Sequence, residues 1–108
     1  MSDRNLVSII MNCYNGERFL KEAIESVFQQ TYDNWEIIFF DNCSSDDSKK
    51  IASSYGPKVT YVCSDTLLPL GCARREAVKY AKGEWIGFLD VDDIWYPNKL
   101  NDQISLIK

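Results

Sequence analysis

Four short apolar runs alternate with four stretches of helical period, and no other feature of this chain restricts its fold as much. The runs are Leu6-Val7-Ser8-Ile9-Ile10-Met11, Trp35-Glu36-Ile37-Ile38-Phe39-Phe40, Val59-Thr60-Tyr61-Val62-Cys63 and Glu84-Trp85-Ile86-Gly87-Phe88-Leu89. Each has the length and β-branched or aromatic content of a strand. Asn15 is placed to cap a first helix with Leu20, Ala23, Ile24, Val27 and Phe28 on one stripe. Ser44 followed by Asp47 makes a capping-box pattern for a second, with Asp46 and Asp47 at its positive end and a stop near Tyr55-Gly56-Pro57. A third spans about Cys72 to Lys82 and stops at Gly83. Pro97 suits the first position of a fourth, which carries Leu100, Ile104 and Ile107. The order β-α-β-α-β-α-β-α predicts an α/β fold: a Rossmann-like parallel sheet of about four strands flanked by helices. No linker, repeat or low-complexity stretch interrupts it, so residues 1–108 read as a single domain.

The second run is apolar almost throughout, as a strand covered on both faces should be. The fourth is similar, yet only one helix follows it. Such a strand normally has a neighbour on each side. The fourth strand is therefore predicted to be a sheet edge, open to homo-oligomer formation, and the chain to be the first half of something larger.

Composition removes several function classes. With 12 basic against 16 acidic residues the formal charge is −4, which argues against a nucleic-acid partner. Apolar runs such as Ile37–Phe40 fall far short of the roughly 20 residues that span a bilayer. Met1-Ser2-Asp3-Arg4-Asn5 lacks the apolar core of a signal peptide, so a cytoplasmic location is predicted. Cys13, Cys43, Cys63 and Cys72 show no C-x-x-C spacing and the chain has no histidine, which speaks against zinc, a disulfide framework and Ser-His or Cys-His catalysis.

In open parallel sheets, ligands collect beyond the carboxyl ends of the strands, near the point where strand order reverses. Asn12-Cys13-Tyr14-Asn15, Asp41-Asn42-Cys43-Ser44 and Asp90-Val91-Asp92-Asp93 hold such positions. The last is the most informative. Three carboxylates within four residues repel one another, and a cation relieves that repulsion. Hard oxygen donors suit magnesium or manganese, which bind one or two carboxylates together with phosphate oxygens. The competing reading is a solvated acidic turn with helix-capping aspartates.

Taken together, Val7–Asn15, Glu22–Val27, Gln30-Thr31-Tyr32, Glu36-Ile37-Ile38, Asp41–Asp46, Ala73-Arg74-Arg75 and Ala81–Asp93 resemble the family 2 glycosyltransferases in order and spacing. The resemblance implies the nucleotide-sugar-binding half of a GT-A domain, serving UDP-, GDP- or dTDP-sugars in cell-envelope polysaccharide biosynthesis. It implies a nucleotide site of Asn12, Tyr14, Asp41, Asn42, Arg74, Asp90 and Asp92, with Tyr14 against the base and Asp41 and Asn42 near base or ribose. Asp92 and Asp93 would face the metal, Mn2+ or Mg2+. The partners implied are a nucleoside-diphosphate sugar donor and, in a longer enzyme, a sugar or lipid-linked acceptor.

Three positions depart from the family's usual residues. Asn12-Cys13 stands where Pro-Thr is common, Asn42-Cys43 where Asp-Gly is common, and Arg75 where Asn is common. Asn42 can donate a hydrogen bond as well as accept one. No residue can be nominated as the general base of an inverting transfer, so a non-catalytic nucleotide-binding module is the alternative. Phe88–Ile94 superficially fits the h-h-D-x-D motif of haloacid dehalogenase phosphatases, but that motif follows a first strand, not a fourth. Neither G-x-G-x-x-G nor a Walker loop is present.

Overall fold

The computed structural model describes residues 5–107; most of the lead-in segment read above, residues 1–4, lies outside them. Strands β1 (Val7–Cys13), β2 (Trp35–Asp41), β3 (Val59–Cys63) and β4 (Trp85–Phe88) alternate with helices α1 (Glu17–Phe28), α2 (Ser48–Ser53), α3 (Leu70–Val78) and α4 (Lys99–Ile107). All pairings are parallel, in the order β3-β2-β1-β4. The chain therefore steps outward from β1 through β2 to β3, then crosses back to lay β4 on the other side of β1. Strand order reverses between β1 and β4, where such sheets open a crevice at their carboxyl ends.

The two-residue period of the strands sorts side chains onto two faces. Val7, Ile9, Met11 and Cys13 of β1, with Trp35, Ile37 and Phe39 of β2, pack under α1, α2 and α4. Ile10, Ile38 and Phe40 face the other way and meet Ala73 and Ala77 of α3. The small alanines let α3 lie close to the sheet. Burial on both faces explains why β2 reads as an apolar run interrupted only by Glu36 before Asp41. Phe39 is wholly buried, and truncating a side chain of that kind costs about 3–5 kcal/mol.

Element ends differ from the sequence expectations for local reasons. Asn15 is not the cap of α1: it sits in the left-handed region at φ 50°, and Gly16 holds the cap position. Phe28 leaves the buried stripe and meets Trp35 edge-on at 4.9 Å between ring centres. Asp47, not Ser44, precedes α2, which ends at Ser53. Helix α3 starts at Leu70, two residues before the expected position, directly after Pro69, and it ends at Val78 rather than Lys82. Pro97 lies in a turn ahead of α4, where its carbonyl accepts from the Thr31 N–H at 2.9 Å. Ile107 is exposed rather than core-facing.

Two devices fix the segments flanking β4. A Cβ on Gly83 would lie 2.5 Å from the Leu6 carbonyl oxygen and 2.7 Å from Ser8 Oγ, so only glycine fits this entry to the strand. Beyond β4, buried Gln30 donates to the Tyr96 carbonyl at 2.8 Å and accepts from the Leu100 N–H at 3.0 Å. Ser26 Oγ accepts from the Trp95 N–H at 3.2 Å. The end of α1 thus anchors the segment behind the acidic loop.

Among the described residues β4 pairs only with β1 and is a sheet edge, as expected. Trp85, Ile86 and Phe88 stay exposed, and an apolar groove of ≈ 480 Å³ runs along them against Trp95, Leu100 and Ile104. Among the described residues no helix is long and apolar enough to cross a membrane.

Candidate functional site

The loops that follow β1 and β2 are stitched to each other. Asn15 N–H donates to Ser44 Oγ at 2.8 Å, and Asn15 Oδ1 accepts from the Ser45 N–H at 2.7 Å. Gly16 N–H donates to Ser48 Oγ at 3.1 Å. Asp46 accepts from the Glu17 N–H at 3.1 Å and the Ser48 N–H at 2.9 Å, while Glu17 accepts from the Asp47 N–H at 2.9 Å. The first turns of α1 and α2 therefore cap one another across the loops, satisfying donors that a helix start leaves open. Slight burial pushes the Asp46 carboxyl up, but the bonds from Ser48 and Glu17 outweigh it and hold it below its ordinary value.

Asp41 and Asn42 form the floor beneath these loops. Asp41 is buried, and its carboxylate accepts from the Ser44 N–H at 3.0 Å and the Tyr61 hydroxyl at 2.5 Å. Burial, then the Asp41 carboxylate, keeps the Tyr61 phenol well above its usual range. Asn42 is also buried, its amide engaged with Leu68 and Ser64. Cys43 adopts φ 66°, a left-handed conformation that glycine enters without cost. Of the four free thiols only Cys13 is fully buried, and that burial pushes its pKa up. It is a packing residue, not a nucleophile.

The loop after β4 is built in the opposite sense. Val91 is half-buried and packs on Gly16, where an added Cβ would come within 3.0 Å of it. With Val91 turned inward, Asp90, Asp92 and Asp93 all face outward, and one carboxylate oxygen from each lies within 4.8 Å of the others. The Asp93 N–H donates to the Asp90 carbonyl at 3.0 Å, closing the turn. Arg74 Nη2 is 3.9 Å from Asp90 Oδ1, and the guanidinium lies 5.4 Å from the centre of the Phe88 ring. The pair is exposed, so its attraction is weak and its value lies in orientation.

Asn12 and Tyr14 complete the crevice. Ile10 pairs with Phe88, and the Leu89 N–H donates to the Ile10 carbonyl at 3.0 Å just before the acidic loop begins. Asn12 is half-buried, and its Nδ2 is buried without a hydrogen-bond partner. Tyr14 is 55% exposed at the exit of β1. The structure thus gathers all eight predicted residues at the carboxyl end of the sheet. It leaves Tyr14, Arg74, Asp90, Asp92 and Asp93 open to solvent and sinks Asp41 and Asn42 beneath them.

Residues 8–108 match the sequence profile of glycosyl transferase family 2. The chain belongs to this family. Among its relatives is the Escherichia coli UDP-Glc:alpha-D-GlcNAc-diphosphoundecaprenol beta-1,3-glucosyltransferase WfgD, 42% identical over 97% of this chain and 42% of that protein. The putative colanic acid biosynthesis glycosyl transferase WcaA of E. coli is 35% identical over 94% of this chain and 37% of that one. The sheet and helices superpose on S. aureus TarS 1-349 in complex with UDP at a TM-score of 0.89 and 29% identity, covering 94% of this chain and 31% of TarS. The complex of the same protein with UDP-GlcNAc gives 0.87 and 30%. The fold is therefore that of the GT-A glycosyltransferases, and the chain spans less than half the length of these relatives.

Several residues prove to be supports for which the sequence reading proposed no role. Ser48, Gly16 and Val91 seat the loops, and Gln30 ties α1 to the segment behind the acidic turn. Val91 carried a readable signal, since a lone apolar residue among three aspartates marks the inward side of a turn. Ser48 carried none, because it reads as an ordinary residue in a polar stretch.

Proposed function

We propose that this chain is the donor-binding domain of a glycosyltransferase and holds a nucleoside-diphosphate sugar, with uracil as the base. One observation carries the reading: three outward carboxylates at the β1/β4 reversal, beside Arg74 and an open tyrosine. The UDP and UDP-GlcNAc complexes of TarS and the UDP-Glc in the name of WfgD support the choice of base. The nucleotide would lie along Asn12, Tyr14, Arg74, Asp90 and Asp92, over the floor made by Asp41 and Asn42. The three carboxylates are hard, close-set donors that fit Mn2+ or Mg2+, and Asp92 and Asp93 would hold the ion. A bound ion of this kind stabilises negative charge on a departing diphosphate. This chain's own residues supply orientation: Tyr14 a flat face for the base, Arg74 a fixed positive charge beside Asp90.

Transfer to an acceptor hydroxyl, with inversion by a general base, belongs to the whole protein, and a lipid-linked acceptor follows the name of WfgD. A cytoplasmic setting, one domain over residues 1–108 and self-association along β4 complete the proposal. The second reading is a nucleotide-binding module without turnover. Donor binding with no sugar transfer in an acceptor assay supports that reading, and transfer excludes it.

A thermal-shift panel of UDP, GDP, CDP and dTDP, each with and without manganese, tests donor binding. A ligand that binds only the folded state raises its melting temperature by mass action. UDP with manganese should give the largest rise. Equal, negligible shifts for all eight conditions would remove the donor reading.

A further inference from the structure

We infer that Asn42 is a positioning residue: its amide holds the β3–α3 connection, and through it Arg74, in place for the nucleotide. This rests on the donor-binding reading above. The amide is spent at both ends on one backbone residue. Nδ2 donates to the Leu68 carbonyl at 2.8 Å, and Oδ1 accepts from the Leu68 N–H at 2.9 Å and from Ser64 Oγ at 3.2 Å. Satisfying the N–H and C=O of a single residue is what a neighbouring strand does, and a primary amide has the donor and acceptor to imitate it. Asn42 is itself held, because its N–H donates to the Cys13 carbonyl at 2.7 Å and its side chain is buried.

Leu68 immediately precedes Pro69, the cap of α3, which has no N–H of its own and makes no side-chain cap bond. The Leu68 side chain packs with Ala73 and Ala77 on the sheet. The clamp therefore sets where the first turn of α3 begins. Arg74 stands one turn into that helix, reaching Asp90 and Phe88 across the crevice. Moving the start of α3 moves the guanidinium relative to the acidic loop. An aspartate at 42 could accept from the Leu68 N–H but could not donate to its carbonyl, and it would bury a charge. The amide at this position answers to Leu68, not to the base.

The test uses the full chain with Asn42→Asp, Asn42→Ala, Arg74→Ala and the Asn42→Asp/Arg74→Ala double variant. Each is titrated calorimetrically with UDP, dTDP and GDP in manganese chloride, and hydrogen exchange at the Leu68 amide is followed without nucleotide. In Asn42→Ala the Leu68 N–H should exchange at least about tenfold faster. Asn42→Asp keeps two of the three side-chain bonds, so it remains readable if the alanine variant does not fold. It should weaken every nucleotide that binds by a common factor of about ten, and this loss should vanish when Arg74 is already alanine. A changed order of base preference, additive losses in the double variant, or unchanged Leu68 exchange overturns the inference while donor binding stands. No nucleotide binding by the unsubstituted chain overturns the donor reading, and this inference with it.

Discussion

At β1 and β2 the carboxyl end of the sheet is sealed, whereas at β4 it is left open. In the sealed half, Asn15, Ser44, Asp46 and Ser48 spend side-chain oxygens on backbone N–H groups of the two loops, and the Asp41 carboxylate is buried under Tyr61. In the open half, Asp90, Asp92 and Asp93 point outward from one half-buried valine, with Arg74 as a partial counter-charge. Both halves are rich in acidic and amide side chains, so residue type alone does not separate them. What separates them is whether hydrogen-bonding capacity is already used. Used capacity builds a rigid floor, and unused capacity is what stays open to a ligand.

Substitutions in the open half break this contrast first and most visibly. Asp92→Asn with Asp93→Asn should cost about a hundredfold or more in manganese-dependent UDP affinity, since two of the three hard donors lose their charge. The melting temperature of the ligand-free protein should stay the same or rise, because like charges are removed. Calorimetry with and without manganese decides it, and unchanged binding would end the metal assignment.

The sealed half should respond in stability instead. Ser48→Ala leaves the buried Gly16 N–H without its acceptor and should cost about 2 kcal/mol, read as a lower urea midpoint at constant slope. The same variant, once folded, should bind UDP within about twofold of the unsubstituted chain. A loss of binding with no loss of stability would erase the distinction between the halves.

A smaller effect sharpens the contrast from the other side. Cys43 holds φ 66° where glycine is free of strain, so Cys43→Gly should stabilise the chain by about 1 kcal/mol. Thermal melts at fixed pH check the sign, and a decrease would show that the Cys43 thiol earns more through its contact with the Asp65 carbonyl than the backbone loses.

Much of this arrangement was legible in the residues. β3 lies where its alternating pattern put it, and the apolar runs of β1, β2 and β4 lie within two residues of their expected places. The acidic turn was readable because an apolar strand fixes its position and its charges need relief. Helix starts were less legible. Asn15 and Ser44 are sound cap residues by type, but each is consumed by the other's loop, a partnership of residues 29 apart in sequence. Asn42 read as a residue near base or ribose, yet its partner, Leu68, lies 26 residues away on the far side of β3.

The alternation of β and α runs, fixed by side-chain period and apolar content, determined by itself that the chain folds as a parallel sheet with helices on both faces. It also determined that three polar segments would sit at the carboxyl ends of strands. Only the tertiary structure decided which of those segments keeps its polar groups open to solvent. That depends on the return of β4 to the side of β1 away from β2, which opens the crevice beside Asp90 and closes the loops of β1 and β2 on each other. Hydrogen bonds between residues distant in sequence use up one set of polar groups and spare the other, and no local pattern encodes that allocation.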